Sequence, residues 1–221
     1  MNPDRPAVIA GLILAGGRAR RLGGRHKALL PLAGKPMLQH VFDRLQPQVA
    51  RVVLSVDQAR DALSPFGLEQ LPDPVPGHRG PLGGLLSGLR WLQHHGHCQW
   101  LLMVPCDAPF LPLRLAAELS ICARRAATAG AVVVEQGEIQ PTFSLWHVDL
   151  LPELEKAVTV EAMSGFKQFL DNCPLATLEW QSLPSDGELP AFFNINDNES
   201  LQQAQLLLQC AEGLNKHAQC Q

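Results

Sequence analysis

The sequence predicts an α/β fold in three layers, with helices covering both faces of a mostly parallel central sheet. Two observations carry this reading. Apolar runs of strand length, such as Val8–Leu14 and Trp100–Val104, are continuous rather than alternating, as in strands buried on both sides. These runs alternate along the chain with segments of helical periodicity, the order expected of parallel strands joined by crossover helices.

Val8–Leu14 is the first strand and runs into Ala15-Gly16-Gly17. Pro36 suits the first turn of a helix, and Met37, Val41 and Leu45 give that helix an i, i+4 apolar stripe. Arg51–Val56 is the second strand, followed by a short helix over Asp57–Phe66 that Gly67 closes. Leu68–Leu71 is a third strand, leading into a proline- and glycine-rich loop from Pro72 to Gly80. A helix then spans Pro81 to His95, with Gly96 as its stop. Trp100–Val104 is the next buried strand and ends in Pro105-Cys106-Asp107-Ala108-Pro109. Pro112–Ala127 reads as helix, and Ala131–Glu135 and Ile139–Trp146 as strands around Gln136-Gly137-Glu138. Helical segments at Leu150–Val158 and Gly165–Asn172 precede a short strand at Ala176–Trp180 and a loop over Ser182–Pro190. An extended stretch, Phe192–Ile195, leads to a helix over Asn198–Gln209 capped by its first asparagine. Residues 1–210 are expected to form one domain and residues 211–221 a frayed C-terminal tail.

The 221 residues suffice for one large domain with a full core. Hydrophobic residues make up 46% and charged residues 18%, an ordinary globular composition. A net charge of −3 makes no global case for nucleic-acid or membrane binding. Locally the balance differs. No acidic residue lies between Asp4 and Asp43, whereas Arg5, Arg18, Arg20, Arg21, Arg25, Lys27 and Lys35 all do. Such a block suits a polyanion, most economically the phosphates of a nucleotide. The six cysteines show no C-x-x-C pair and are expected to be reduced and mostly buried. The start resembles no signal peptide, and no apolar run approaches the ~20 residues that cross a bilayer, so a cytoplasmic location is expected.

In doubly wound sheets ligands lie outside the carboxyl ends of the strands. That rule places Ala15–Lys27, Asp57, Asp73 and Asp107 near one rim, with Ser55 close by. The strongest feature is Leu14-Ala15-Gly16-Gly17-Arg18-Ala19-Arg20-Arg21-Leu22-Gly23-Gly24-Arg25-His26-Lys27. Its glycines let the backbone approach a ligand and turn N–H groups toward it, and its cations suit triphosphate oxygens. It contains neither G-x-x-x-x-G-K-[ST] nor G-x-G-x-x-G. Asp107 follows a buried strand between two prolines, a position suited to Mg²⁺, which takes one or two carboxylates plus substrate phosphates. A helix N-cap or turn role is the plainer alternative for it. Asn194 and Asn196 alternate with apolar neighbours and either assist the metal or second substrate, or cap the last helix. His94-His95-Gly96-His97-Cys98 sits at a helix C-terminus and is read as carbonyl and dipole contacts rather than a metal site. Trp91, Trp100, Trp146 and Trp180 are read as core.

The glycine-rich loop resembles the L-A-G-G-x-x-x-R-[ML]-G-G-x-D-K signature of the molybdenum cofactor guanylyltransferases. The resemblance continues in Leu32-Ala33-Gly34-Lys35-Pro36-Met37, Gly80-Pro81-Leu82-Gly83-Gly84, Val104-Pro105-Cys106-Asp107-Ala108-Pro109, Gln140-Pro141-Thr142 and Phe193-Asn194-Ile195-Asn196. Each motif alone is weak. Their order, from residue 12 to about 201, is specific. The resemblance implies a three-layer Rossmann-like nucleotidyltransferase fold and a Mg²⁺-dependent transfer of GMP from GTP to the terminal phosphate of molybdopterin, releasing pyrophosphate. It implies that Gly16, Gly17 and Arg21 hold the triphosphate, that Lys27 stabilises phosphate charge, and that Asp107 binds the metal. It also makes Ser55 and Asp73 nucleotide contacts, with guanine read by backbone near Leu14 and Ala15. Transient partners would be other cofactor-biosynthesis proteins or the recipient molybdoenzymes.

Two positions depart from the family pattern. His26 stands where aspartate usually precedes the lysine, and Ser55 where asparagine is frequent. The first removes a negative charge beside the phosphates, and the second shortens the reach of a hydrogen-bonding side chain. The alternatives are a cytidylyl- or sugar-phosphate nucleotidyltransferase on the same scaffold, and a degenerate nucleotide-binding partner protein without catalysis.

Overall fold

Continuous apolar runs such as Ile9–Leu14 and Trp100–Pro105 bury both their faces, so they occupy the centre of a sheet rather than its edge. The computed structural model of the protein describes residues 7–17, 26–74, 80–163, 165–181 and 189–218. Its main sheet has strands β1 (Ile9–Leu14), β2 (Arg51–Val56), β3 (Glu69–Pro72), β4 (Trp100–Pro105), β5 (Gly130–Glu135), β6 (Glu138–His147) and β7 (Ala176–Glu179). Their spatial order is β3-β2-β1-β4-β6-β5-β7. β1 pairs in parallel with β2 and β4, β2 with β3, and β5 with β7. β6 runs antiparallel to both β4 and β5, so the sheet is mostly parallel, as expected. The hairpin between β5 and β6 turns on Gln136 and Gly137, both at positive φ (52° and 79°), the conformation that matches strand twist in a two-residue loop.

Alternation along β1 sends side chains to two separate cores. Ile9 and Ile13 pack with Leu38, Val41 and Leu45 of helix α1 (Met37–Leu45) and with Leu115 and Leu119 of α3 (Leu115–Ala126). Ala10 and Leu12 pack with Leu85 and Leu89 of α2 (Pro81–His94), and that core extends to α4 (Leu151–Glu155) and α5 (Phe166–Asp171). Helices therefore cover both faces. All four tryptophans are buried, as the core reading expects. A third cluster joins Leu30, Leu32, Met37, Phe110, Ile195 and Ala204, tying α6 (Asn198–Ala218) to the segments around Lys27 and Asp107.

Several boundaries differ from expectation, each for a local reason. The helix expected over Asp57–Phe66 is a 3-10 turn confined to Asp61–Phe66, with Pro65 removing an N–H inside it. The helix expected from Pro112 starts at Leu115, after a turn closed by the Leu115 N–H on the Pro112 carbonyl. Leu150–Val158 is divided between α4 and a π-helical segment, Lys156–Val160. Phe192–Ile195 forms no strand. It begins in a turn and is held by the Ile195 N–H on the Asp107 carbonyl at 2.9 Å. The cap of α6 is Asp197, not Asn198: Asp197 Oδ1 accepts the Ser200 N–H at 2.9 Å, and Ser200 Oγ accepts the Asp197 N–H at 3.1 Å. That helix continues to Ala218, beyond the expected stop at Gln209.

Candidate active site

Three strand ends meet where the chain order reverses. β2 and β3 lie on one side of β1, whereas β4 lies on the other, so a crevice opens at the carboxyl ends of β1 and β4. The crevice is a cleft of about 400 Å³. Leu14, Gly16 and Gly17 line it from β1, Ser55 and Asp57 from β2, and Asp73 from beyond β3. Pro105, Cys106 and Asp107 enter from β4, Lys27 from the returning loop, and Thr142 from β6. The N-terminus of α2 contributes Gly80 and Pro81, a location where free backbone N–H groups favour anions.

The expected site residues thus converge, with two exceptions. Ala15 is fully buried and does not line the cleft; its N–H donates to the Ser55 carbonyl at 2.8 Å. Arg21, with Arg18, Arg20 and Arg25, lies outside the described residues. The Leu14 carbonyl accepts the Cys106 N–H at 3.1 Å, which locks the exits of β1 and β4 together. On the far side the Asp73 N–H donates to the Val56 carbonyl at 3.0 Å and fixes the entry of its loop.

Lys27 is the electrostatic centre. Its ammonium donates to Asp107 Oδ2 in a close ion pair, and to Asn196 Oδ1 at 2.7 Å. The two side chains of the ion pair are only 13% and 15% exposed, so solvent screens them weakly. The Lys27 N–H returns to the Gly17 carbonyl at 3.4 Å, closing the basic loop on the glycines it left. His26, half-buried, precedes Lys27 as the residue leading into the 3-10 turn Lys27–Leu29. Among the described residues no three His, Cys, Asp or Glu side chains converge as a metal cage. Asp107 instead offers one carboxylate, the donor set of a Mg²⁺ completed by substrate phosphates, and it already holds a cation in the form of the Lys27 ammonium.

Asp57 was placed near the rim by its strand end but was not expected as a site residue. Burial raises its pKa, yet the hydrogen bond and charge of Arg60 outweigh that and hold the carboxyl below its ordinary range. Both of its oxygens accept from Arg60 at 2.7 Å. Cys106 also lines the cleft. Burial, and then the Asp107 charge, push its thiol far up, so it is an uncharged wall and not a nucleophile. Thr142 was not expected to line the cleft, and Asn196, expected to assist the metal or second substrate or to cap the last helix, instead accepts from the Lys27 ammonium. The signals were the Gln140-Pro141-Thr142 and Phe193-Asn194-Ile195-Asn196 motifs, which show no contacts by themselves.

Ser55 is buried to 4% because α2 lies against it. A Cβ on Gly84 would stand 2.4 Å from Ser55 Oγ, 3.2 Å from Ser55 Cβ and 2.7 Å from Leu14 Cδ2. Gly84→Ala should therefore overpack both strand ends, at about 1–3 kcal/mol, against which a helix-propensity gain of up to about 1 kcal/mol is set. The expected result is a melting temperature lower by several degrees, at about 2–4 °C per kcal/mol for a chain of this size. An unchanged melting temperature would show that α2 is free to shift.

The histidines at the end of α2 behave as expected. His94 and His95 pair through Nδ1 with the carbonyls of Arg90 and Trp91, at 2.7 and 2.8 Å. Of the cysteines described, all are free, but only Cys98 and Cys106 are buried, fewer than expected. Among the described residues no helix is long and apolar enough to cross a membrane.

Residues 11–176 match the model of the MobA-like NTP transferase domain family. A molybdenum cofactor guanylyltransferase of Rhizobium meliloti (strain 1021) is 38% identical over 211 residues, covering 93% of this chain and 94% of that protein. One from Bradyrhizobium sp. (strain ORS 278) is 36% identical over 208 residues, covering 94% and 96%. The crystal structure of molybdopterin-guanine dinucleotide biosynthesis protein A from Archaeoglobus fulgidus superposes with a TM-score of 0.74 at 22% identity, covering 90% of this chain and 98% of that one. At that identity the superposition shows the shared fold.

Proposed function

The chain belongs to the molybdenum cofactor guanylyltransferases, a family of nucleotidyltransferases, and on that premise we propose that it transfers GMP from GTP to the terminal phosphate of molybdopterin, releasing pyrophosphate. The observation that carries this reading is the Lys27–Asp107 pair at the reversal of strand order, in the same cleft as the Gly16–Gly17 backbone.

In this reading the terminal phosphate of the pterin attacks the α-phosphorus of GTP and pyrophosphate leaves. The nucleophile is already an anion, so no general base is required. This suits a cleft whose one thiol stays protonated. Catalysis is then mainly positioning and charge neutralisation. Gly16 and Gly17 present their backbone to the triphosphate, and Arg21 adds charge from the same loop. Lys27 neutralises phosphate oxygens. Asp107 would hold Mg²⁺, and the ion when bound would supply further neutralisation of phosphate charge. Leu14 borders the base, with Ala15 buried behind it as support, and Ser55 and Asp73 contact the nucleoside. The protein works in the cytoplasm, passing its product to molybdoenzymes through transient contacts.

The test is base selectivity with Mg²⁺ present. GTP should raise the melting temperature clearly more than CTP or UTP at equal concentration, because a ligand at 100 times its Kd adds about 2.7 kcal/mol of stability. Molybdopterin added to GTP should release pyrophosphate. Preferential stabilisation by CTP or UTP would transfer the chain to another nucleotide, and no stabilisation by any of them would remove the catalytic reading.

A further inference from the structure

The Lys27 ammonium has two acceptors drawn from distant parts of the chain, Asp107 Oδ2 and Asn196 Oδ1. The first belongs to the carboxylate assigned to the divalent cation. The ammonium therefore stands where a metal ion has to approach. Two cations ~4 Å apart at a protein surface repel by much more than thermal energy. Metal and ammonium cannot share Asp107 without loss unless phosphate oxygens arrive to take one of them.

Asn196 is held beside Asp107 independently of Lys27. The Ile195 N–H donates to the Asp107 carbonyl at 2.9 Å, and Ile195 is fully buried with Leu30 and Phe110. On the other side the Asn196 N–H donates to Ser200 Oγ at 3.0 Å, within the cap of α6. Its side-chain carbonyl is a neutral acceptor. It can keep hold of an ammonium that has left a carboxylate, without competing for it as strongly as a charge would.

We infer that Asn196 is a positioning residue that retains Lys27 in the cleft while the ammonium passes from Asp107 to arriving phosphate oxygens, so that the divalent cation binds with the nucleotide rather than before it. This rests on the assignment of Asp107 to the metal. No covalent bond or proton changes hands in the exchange. Asp107 loses a monovalent partner and gains a divalent one, and the ammonium keeps Asn196 Oδ1 throughout. The role of Asn196 thus depends on the presence of Lys27.

Mn²⁺ binding, followed by the enhancement of water proton relaxation, tests this on the full chain with and without GTP. The proteins are wild type, Lys27→Met, Asn196→Ala and the double variant, each first checked for an intact fold by its melting curve. Wild type should bind Mn²⁺ at least tenfold more weakly without GTP than with it. Lys27→Met should bind the metal alone at least tenfold more tightly than wild type. Asn196→Ala should weaken GTP-dependent binding several-fold in wild type and change nothing in Lys27→Met. Equal metal-alone affinities in wild type and Lys27→Met would overturn the inference. So would an equal loss from Asn196→Ala in both backgrounds, which would make the asparagine a direct ligand. If wild type itself bound no Mn²⁺ with GTP, the assignment of Asp107 would fall as well, an outcome visible in the wild-type protein alone.

Discussion

Asp107→Asn is expected to abolish GTP-dependent pyrophosphate release, lowering the rate by at least ~10²–10³, the usual cost of removing one preorganised electrostatic contact at a reacting phosphate or oxyanion. The fold should survive. What anchors this segment is its backbone, the Cys106 N–H on the Leu14 carbonyl and the Asp107 carbonyl accepting from Ile195, and none of that involves the carboxylate. Asparagine keeps the volume and one oxygen for Lys27, whereas alanine would leave a partly buried ammonium held by Asn196 Oδ1 without the Asp107 oxygen. The amide is the cleaner variant because it removes charge without opening a gap. Melting temperature and pyrophosphate release should be measured on the same preparation. A melting point within a few degrees of wild type, together with lost turnover, is the expected pair of results. Substantial Mg²⁺-dependent turnover in Asp107→Asn would take the metal role away from this residue.

Much of the site was legible because strand ends are legible. Continuous apolar runs locate β1, β2 and β4, and the residues just past them are forced to one rim by parallel pairing. Hence Gly16, Gly17, Asp73 and Asp107 fall in one cleft. Contacts that come from the far end of the chain were not legible. Asn196 reaches Lys27 across 169 positions because Ile195 is buried in a cluster built by α6, and periodicity says nothing about which cluster a short apolar segment will join. Thr142 arrives from β6, an antiparallel strand whose placement beside β4 is set by long-range pairing. Ser55 reads in sequence as a short hydrogen-bonding side chain close to a strand end. Its burial under Gly84 follows from how closely α2 packs, a matter of helix-to-sheet distance. Sequence alone does not choose the cap of the last helix, because Asp197 and Asn198 are both good cap residues and only the reciprocal Asp197–Ser200 bonds decide between them.

Lys27→Ala should lower the turnover rate by about 10²–10³, whereas Lys156→Ala should leave it nearly unchanged. The contrast lies in their surroundings. The Lys156 side chain is 70% exposed and paired with Glu161 at 3.2 Å, an arrangement that contributes little in water. The Lys27 side chain is 13% exposed and held by two acceptors in a cleft lined by backbone that suits phosphates. Its Cα is fixed by the N–H bond to the Gly17 carbonyl and by the buried Ala28 that follows, so truncation removes the charge and leaves the loop anchored. Lys27→Arg should rescue poorly. A planar guanidinium cannot occupy the compact position that an ammonium takes between Asp107 and Asn196. Metal binding and rate should then move in opposite directions in Lys27→Ala, because removing the ammonium exposes Asp107 to the cation while removing the charge that acts on phosphate. Equal and small losses from Lys27→Ala and Lys156→Ala would mean that the basic loop is merely solvated, and that its resemblance to a phosphate site is one of composition alone.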